Sequence, residues 1–380
     1  MKKIYRFFLI IILFFISFII YREIEEEYES SKGINQSVLS DNGLFNGKEY
    51  ASSGGMKDTQ LNNPESSNTN TQDKVKLVIP SGEPIGIYVK TEGVMVIGVT
   101  EIKNQSGVKE SPCQGLFMPG DYIVGVNGEK IKDKNELTSI IEGSHGKALY
   151  MDVIRNNENI TVTVTPVKSQ GKYMLGLWVK DDISGIGTMT YIDEDGFAAL
   201  GHSINDNDTG TVMSIADGAI YETTLINIVK SNGEVPGRLE GIIDYSKENI
   251  MGRVVENHQY GIRGYMTENG VDTLAYGEWI PVAKKEEASI GEGYILSCVS
   301  GKPVFYKIEI TSVDISSSAG NKGLEIKIVD ERLLDMTNGI VQGMSGTPII
   351  QNGKLLGAIT HVFVKDSTRG YGTFVENMME

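Results

Sequence analysis

Eight residues near the C-terminus, Gly343-Met-Ser345-Gly-Thr-Pro348-Ile-Ile350, constrain this chain more than any other stretch. Glycines at −2 and +1 of a serine let the backbone turn tightly, with no Cβ to obstruct it. In such a turn the N–H groups of Gly343 and Ser345 converge in front of the hydroxyl, the arrangement that stabilises the oxyanion of an acyl-transfer intermediate. The apolar run led by Pro348 reads as a β-strand that anchors the turn. A plain Gly-Ser turn before a strand would show the same letters, so the octet needs partners before it becomes a site.

The first partner is a base, and the chain has four histidines: His145, His202, His258 and His361. His202 closes the small apolar run Phe197-Ala-Ala-Leu-Gly-His202, which turns polar at Ser-Ile-Asn-Asp206. That pattern anchors the backbone in a strand and leaves the ring at its rim. His202 precedes Ser345 by 143 residues, the His-then-Ser order of chymotrypsin-like chains. The competing reading is a strand-end His bonded to its own loop. His145 falls in a polar Gly-Ser-His-Gly turn, and His258 follows Glu-Asn in a polar stretch. His361 stands on the strand after the nucleophile, where it reads as packing or as the substrate side of a cleft.

The acid is not selected by spacing. Asp206 and Asp208 lie close to His202 in sequence, while Asp193 and Asp195 belong to a hairpin turn ending at Gly196. Asp330 ends the alternating strand Leu324-Glu-Ile-Lys-Ile-Val-Asp330, but Asp244 and Asp314 fit as well.

Upstream, Lys2, Lys3 and Arg6 precede an apolar run from Phe7 to Ile20. A basic end before an apolar run reads as an export signal with the positive end retained inside. No small-x-small cleavage motif follows, so residues 1–21 are expected to be an uncleaved anchor, with a cleaved signal as the alternative. Residues 22–74 are rich in Ser, Asn, Gly and Glu and offer little apolar surface to offset ordering entropy, the composition of a flexible tether. Residues 75–167 carry the features of a PDZ domain, a small α+β fold. These are Pro119-Gly-Asp121, an apolar strand, the Asn127-Gly128 hairpin, the helix Glu136-Leu-Thr-Ser-Ile-Ile141, and a closing hairpin from Val153 to Thr165. Ile85, Gly86 and Ile87 are expected to form its peptide-binding loop, capping an edge strand that takes up a peptide by β-augmentation.

From Leu175 to Glu380 the chain resembles the stage IV sporulation protein B (SpoIVB) peptidases of endospore-forming bacteria, family S55. The matching stretches are Leu175-Gly-Leu-Trp178, Gly185-Ile-Gly-Thr188, Ala199-Leu-Gly-His202-Ser-Ile, Asp208-Thr-Gly210, Gly339-Ile-Val-Gln-Gly-Met-Ser345-Gly-Thr-Pro348 and Thr360-His-Val-Phe-Val364. The resemblance implies a catalytic triad of His202, Asp330 and Ser345, with Asp330 orienting the imidazole. It also implies export to the forespore intermembrane space, self-cleavage, and cutting of a membrane-bound regulator of an intramembrane protease, which triggers late sigma-factor activation.

The fold expected is therefore mainly β: a chymotrypsin-like double β-barrel serine protease domain at 168–380, preceded by a PDZ domain, a tether and a transmembrane anchor. Thirty-five basic against 50 acidic residues give a net charge of −15, which disfavours nucleic acid as a partner. Protein substrates, the chain itself and a PDZ peptide ligand are the expected partners. Cys113 and Cys298 read as packing residues. No Cys, His and carboxylate cluster has metal-ligand spacing, so no metal or cofactor is expected. The alternative from another class is a non-catalytic PDZ-containing scaffold in the exported space.

Overall fold

The computed structural model describes residues 75–380, except 207, 233–234, 275–276 and 317–319. The expected anchor (1–21) and tether (22–74) lie outside the described residues. Among the described residues no helix is long and apolar enough to cross a membrane.

The chain enters through β1 (Leu77–Pro80) and the long β2 (Pro84–Val99). A small unit follows, with β3 (Tyr122–Val126), the helix Lys134–Gly143, β4 (Leu149–Arg155) and β5 (Glu158–Val164). Next come β6 (Leu177–Ile192), β7 (Phe197–Ala199), β8 (Ile215–Val229), β9 (Arg238–Ile243), β10 (Ile250–His258) and β11 (Gly261–Met266). β2 pairs with both β6 and β8, so the path β2–β6–β7–β11–β10–β8 returns on itself as a six-stranded ring. Ile85, Ile87, Val89, Met189, Phe197, Leu200 and Ile220 fill it.

The second ring is closed by β12 (Gly291–Ser297), β13 (Val304–Val313), β14 (Leu324–Ile328), β17 (Asp366–Phe374), β16 (Lys354–Phe363) and β15 (Pro348–Gln351). Alternation decides its inner face: Leu324, Ile326 and Ile328 are buried while Lys327 between them is exposed, as a period of two dictates. Each such side chain contributes about 1.5–3 kcal/mol when fully buried. A third cluster, with Val78, Tyr191, Ala198, Leu296, Ile350 and Ala358, draws residues from strands of both rings.

The division expected at residue 167/168 does not follow the strands. The first half of β2 belongs to the first ring, with Leu77–Pro80 paired on its β6, and the small unit is inserted between the strands of that ring, at about residues 91–182. Both β2 and β6 run through it. Lys90 faces Asp182 in the barrel, whereas Met95 faces Lys180 in the insert, and the register shifts between the two. Gly93 sits at this shift with φ +74°, and a Cβ there would stand 2.3 Å from the Ile123 carbonyl oxygen.

The expectation for Ile85, Gly86 and Ile87 is corrected by the same pairing. These residues face Gly187, Ile186 and Gly185 of β6 on one side and Glu222, Tyr221 and Ile220 of β8 on the other. With ladders on both edges, no peptide can add a strand there. Alternation of small and apolar residues is shared by groove loops and barrel walls, which is why the sequence misled.

Candidate active site

Ser345 lies in the turn between the helix Glu331–Thr337 and β15. The glycines that flank it hold conformations closed to other residues: Gly343 at φ +101° and Gly346 at φ +98°. A Cβ on Gly346 would meet the Thr188 carbonyl oxygen at 2.1 Å. The turn is pinned to both barrels, because the Gly346 N–H donates to the Ile359 carbonyl at 2.8 Å and the Thr188 N–H donates to the Ser345 carbonyl at 2.9 Å. The N–H groups of Gly343 and Ser345 donate to no protein acceptor among the described residues. Unused N–H groups at the serine and two residues before it are the donors an oxyanion would need.

His202 follows Gly201, whose φ of +70° ends the strand run and turns the chain toward the second barrel. A Cβ at Gly201 would meet the Thr360 side chain at 3.0 Å, so the two barrels approach closely here. His202 and Ser345 line one cleft of about 590 Å³, together with Lys180, Ser203, Gln342, Thr360 and His361. The Nδ1 of His202 lies 2.8 Å from the Ser203 carbonyl. That acceptor requires Nδ1 to carry the hydrogen, which leaves Nε2 unprotonated, the state a general base needs. Burial pushes the His202 pKa below its ordinary value, and the Ser203 contact opposes this less strongly. The ring is therefore neutral at pH 7. The Ser345 hydroxyl donates to the Thr360 carbonyl at 3.0 Å, so a turn about its χ1 is needed to present the proton to His202.

The structure does not bring Asp330 to His202. Asp330 caps the helix Glu331–Thr337, accepting from the Arg332 N–H at 3.0 Å and the Lys307 N–H at 3.0 Å. Its oxygens also take both branches of the Arg332 guanidinium, at 3.0 and 2.8 Å. Burial pulls its pKa up, but Arg332 and the amide donors outweigh this and hold it below the usual carboxylate value. No hydrogen bond joins it to an imidazole, and it does not line the cleft. An N-cap and an acid at a barrel rim share one signature, a carboxylate at a strand end, so the letters alone could not separate them. Asp206 is fully buried, yet its oxygens hold Lys180 at 3.0 Å and the N–H groups of Asp208 and Thr209. Asp208 also pairs with Lys180.

His361 does reach the site: its ring centroid lies 5.2 Å from that of His202. Burial of the ring, then the nearby His202 and Lys322, push its pKa down to about 4, although the residue keeps an exposed face that weakens these effects. His145 packs on Tyr173 in the insert, and His258 on Tyr260, away from the cleft. Sequence reasoning missed the two carbonyls that bind the candidate side chains His202 and Ser345, those of Ser203 and Thr360. A main-chain acceptor has no residue-type signal. Cys113 and Cys298 are both buried and unpaired with each other, and burial raises both thiols, Cys113 to about 12. Among the described residues no three His, Cys, Asp or Glu side chains converge to hold a metal ion.

Comparison with known proteins adds family evidence. The family model described as SpoIVB peptidase S55 matches residues 171–379, more than half of the chain. A presumed zinc metalloprotease from Lactococcus lactis subsp. lactis is 43% identical over 58 residues, which are 15% of this chain and 14% of the relative. The phosphoglucosamine mutase of Acetivibrio thermocellus is 21% identical over 278 residues, 71% of this chain and 52% of that protein. The chain thus spans 14% and 52% of the lengths of these curated relatives. Among solved structures, the inactive form of a serine-to-alanine mutant of Rv3671c from M. tuberculosis aligns at 14% identity and a TM-score of 0.26, covering 51% of this chain and 80% of that one. A score that low carries no weight for the fold, which rests on the strand pairing above.

Proposed function

The chain belongs to the SpoIVB peptidase S55 family of serine peptidases, and on that premise we propose that it is an endopeptidase with Ser345 as nucleophile and His202 as base. The observation that carries the reading is one cleft lined by a neutral imidazole and a serine hydroxyl, with the unused N–H groups of Gly343 and Ser345 in the turn that presents the serine. As Ser345 Oγ bonds to the scissile carbonyl carbon, its proton passes to His202 Nε2. The carbonyl electrons move onto oxygen, where the N–H groups of Gly343 and Ser345 receive the charge. When the C–N bond breaks, His202 returns the proton to the leaving amine, and a water molecule then releases the acyl group by the same route. The Ser203 carbonyl takes the orienting part that a triad gives to a carboxylate. A fluorophosphonate should label the wild-type chain on Ser345. A folded wild-type chain that takes no label overturns the reading.

The insert is proposed to be a PDZ-type module with its groove beside β6 rather than at Ile85–Ile87. Three features support this: a core of its own with Val94, Phe117, Ile123, Leu137 and Met151, a helix tied to β6 by Lys134 and Asp181, and Gly176 at φ +68° leading into β6. The sporulation role, export, anchoring by residues 1–21 and self-cleavage between about Glu23 and Lys74 are likewise proposals, resting on the family and on the N-terminal sequence. N-terminal sequencing of the mature protein tests the last of these, and a first residue beyond Val75 would refute it.

A further inference from the structure

The nucleophile turn follows the second barrel's helix Glu331–Thr337 and runs into that barrel's β15, yet most of the bonds that shape it come from the first. Thr188 and Thr190, alternate residues of β6 pointing the same way, donate their hydroxyls across the barrel interface. Thr188 Oγ1 donates to the Gly343 carbonyl at 2.7 Å, and Thr190 Oγ1 donates to the Gly346 carbonyl at 2.7 Å. With the Thr188 N–H on the Ser345 carbonyl, β6 grips three carbonyls within four residues. A carbonyl shares its peptide plane with the N–H of the following residue. The Gly343 carbonyl lies in the plane between those that carry the Gly343 and Ser345 N–H groups, and the Ser345 carbonyl lies in the plane after them, so holding both against β6 limits how these donors can turn. A second arm comes from β9. The Leu239 N–H donates to the Gln342 carbonyl and the Gln342 N–H donates to the Gly237 carbonyl, at 2.9 and 2.8 Å. The Leu239 side chain lies where a Cβ on Gly343 would be, at 3.0 Å.

Both threonines are buried, at 2% and 0% exposure. A hydroxyl in such a place is costly to leave unpaired, and neither is needed to fill the barrel core, since valine has the same shape. We propose that Thr188 is a positioning residue of the peptidase, whose hydroxyl fixes the peptide plane between the two that carry the Gly343 and Ser345 N–H groups, so that both donors are set before substrate arrives, with Thr190 supporting the turn through Gly346. The inference rests on the reading of Ser345 as nucleophile.

The test is the rate of fluorophosphonate labelling of the full-length chain, separated into the binding constant and the maximal rate. Thr188→Val should lower the maximal rate by about 10- to 100-fold, somewhat less than deleting an oxyanion donor outright, with binding changed less than about twofold. Thr188→Ser, which keeps the hydroxyl and loses only the methyl, should stay within about threefold of wild type. Thr190→Val should fall between them and keeps the test intact should Thr188→Val fail to fold. A folded Thr188→Val chain that labels at the wild-type rate overturns the proposal, as does Thr188→Ser falling as far as Thr188→Val, because the methyl would then be the part that matters. A wild-type chain that takes no label sinks the peptidase reading itself, and the proposal with it.

Discussion

The two barrels differ in how their strands follow along the chain. The second is drawn from consecutive strands between Gly291 and Phe374, all antiparallel, with only the β14–β17 and β12–β15 pairings joining strands that are not neighbours in sequence. The first is split: β2 and β6, paired along most of their length, are separated by the whole insert. The difference shows in what each barrel gives to the site. The contiguous barrel supplies the turn of the proposed nucleophile, whose chemistry is spelled out in neighbouring residues. The interrupted one supplies the proposed base and the grip on that turn, through residues whose partners lie about 150 positions away, such as Thr188 and Gly343. Local motifs reveal the first kind of contribution and hide the second.

The largest expected effect falls on the contiguous side. Ser345→Ala should abolish fluorophosphonate labelling and lower peptide cleavage by a factor on the order of 10⁶, the scale at which removing a nucleophile stops covalent catalysis. Thermal unfolding should barely move. Residual cleavage within about tenfold of wild type, with contaminating proteases excluded, would place the chemistry on another residue and break the comparison at its root.

Much of the site was legible before the fold was known. The Gly343–Pro348 turn carries its own reason, because positive φ on both sides of a serine demands glycine. His202 was legible from the small apolar run that ends at Gly201. The acid was not, since a carboxylate at a strand end serves equally to cap a helix, and Asp330 does that. The orienting acceptor of His202 is a backbone carbonyl, present at every residue and so marked at none. In the fold, alternation exposed β14, but nothing in Ile85-Gly86-Ile87 says whether its partner strand is a bound peptide or β6 at more than 90 residues' remove.

That last ambiguity gives the second prediction. If residues 85–87 form a barrel wall, Gly86→Trp should unfold the first barrel rather than alter peptide binding. A Cβ at Gly86 already stands 2.5 Å from the Ile243 side chain and 2.8 Å from Thr223 Oγ1, and overpacking a closed wall costs about 1–3 kcal/mol or more. Circular dichroism and thermal melting of Gly86→Ala and Gly86→Trp should show stability falling with side-chain size. A Gly86→Trp chain as stable as wild type, with altered peptide affinity, would return these residues to a groove.

Asp330 offers a smaller effect that sharpens the contrast between the barrels' roles. Asn caps a helix about as well as Asp, so Asp330→Asn should lose mainly the pairing to a largely exposed Arg332, about 1 kcal/mol of stability. Turnover should stay within about tenfold of wild type. A drop of about 10⁴ with an unchanged melting temperature, the size that loss of the orienting carboxylate causes in a triad, would mean that Asp330 reaches His202 in the working enzyme.

The smallest effect concerns the imidazole that the second barrel places against the base. His361 has its pKa pushed down to about 4 by burial first, then by His202 and Lys322. Above its unfolded value near 6.5 both states are neutral and stability is full. Below that, the unfolded chain takes up a proton that the folded chain resists, so stability falls as pH drops from about 6.5 toward about 4. His202, also depressed by burial, acts in the same direction, and the exposed face of His361 limits the size of its share. His361→Gln removes one of the two groups. The loss of melting temperature between pH 7 and pH 4.5 should therefore be smaller in the variant than in wild type. Identical acid sensitivity in both proteins would show that the two rings do not share an electrostatic environment, leaving His361 as a wall of the cleft and nothing more.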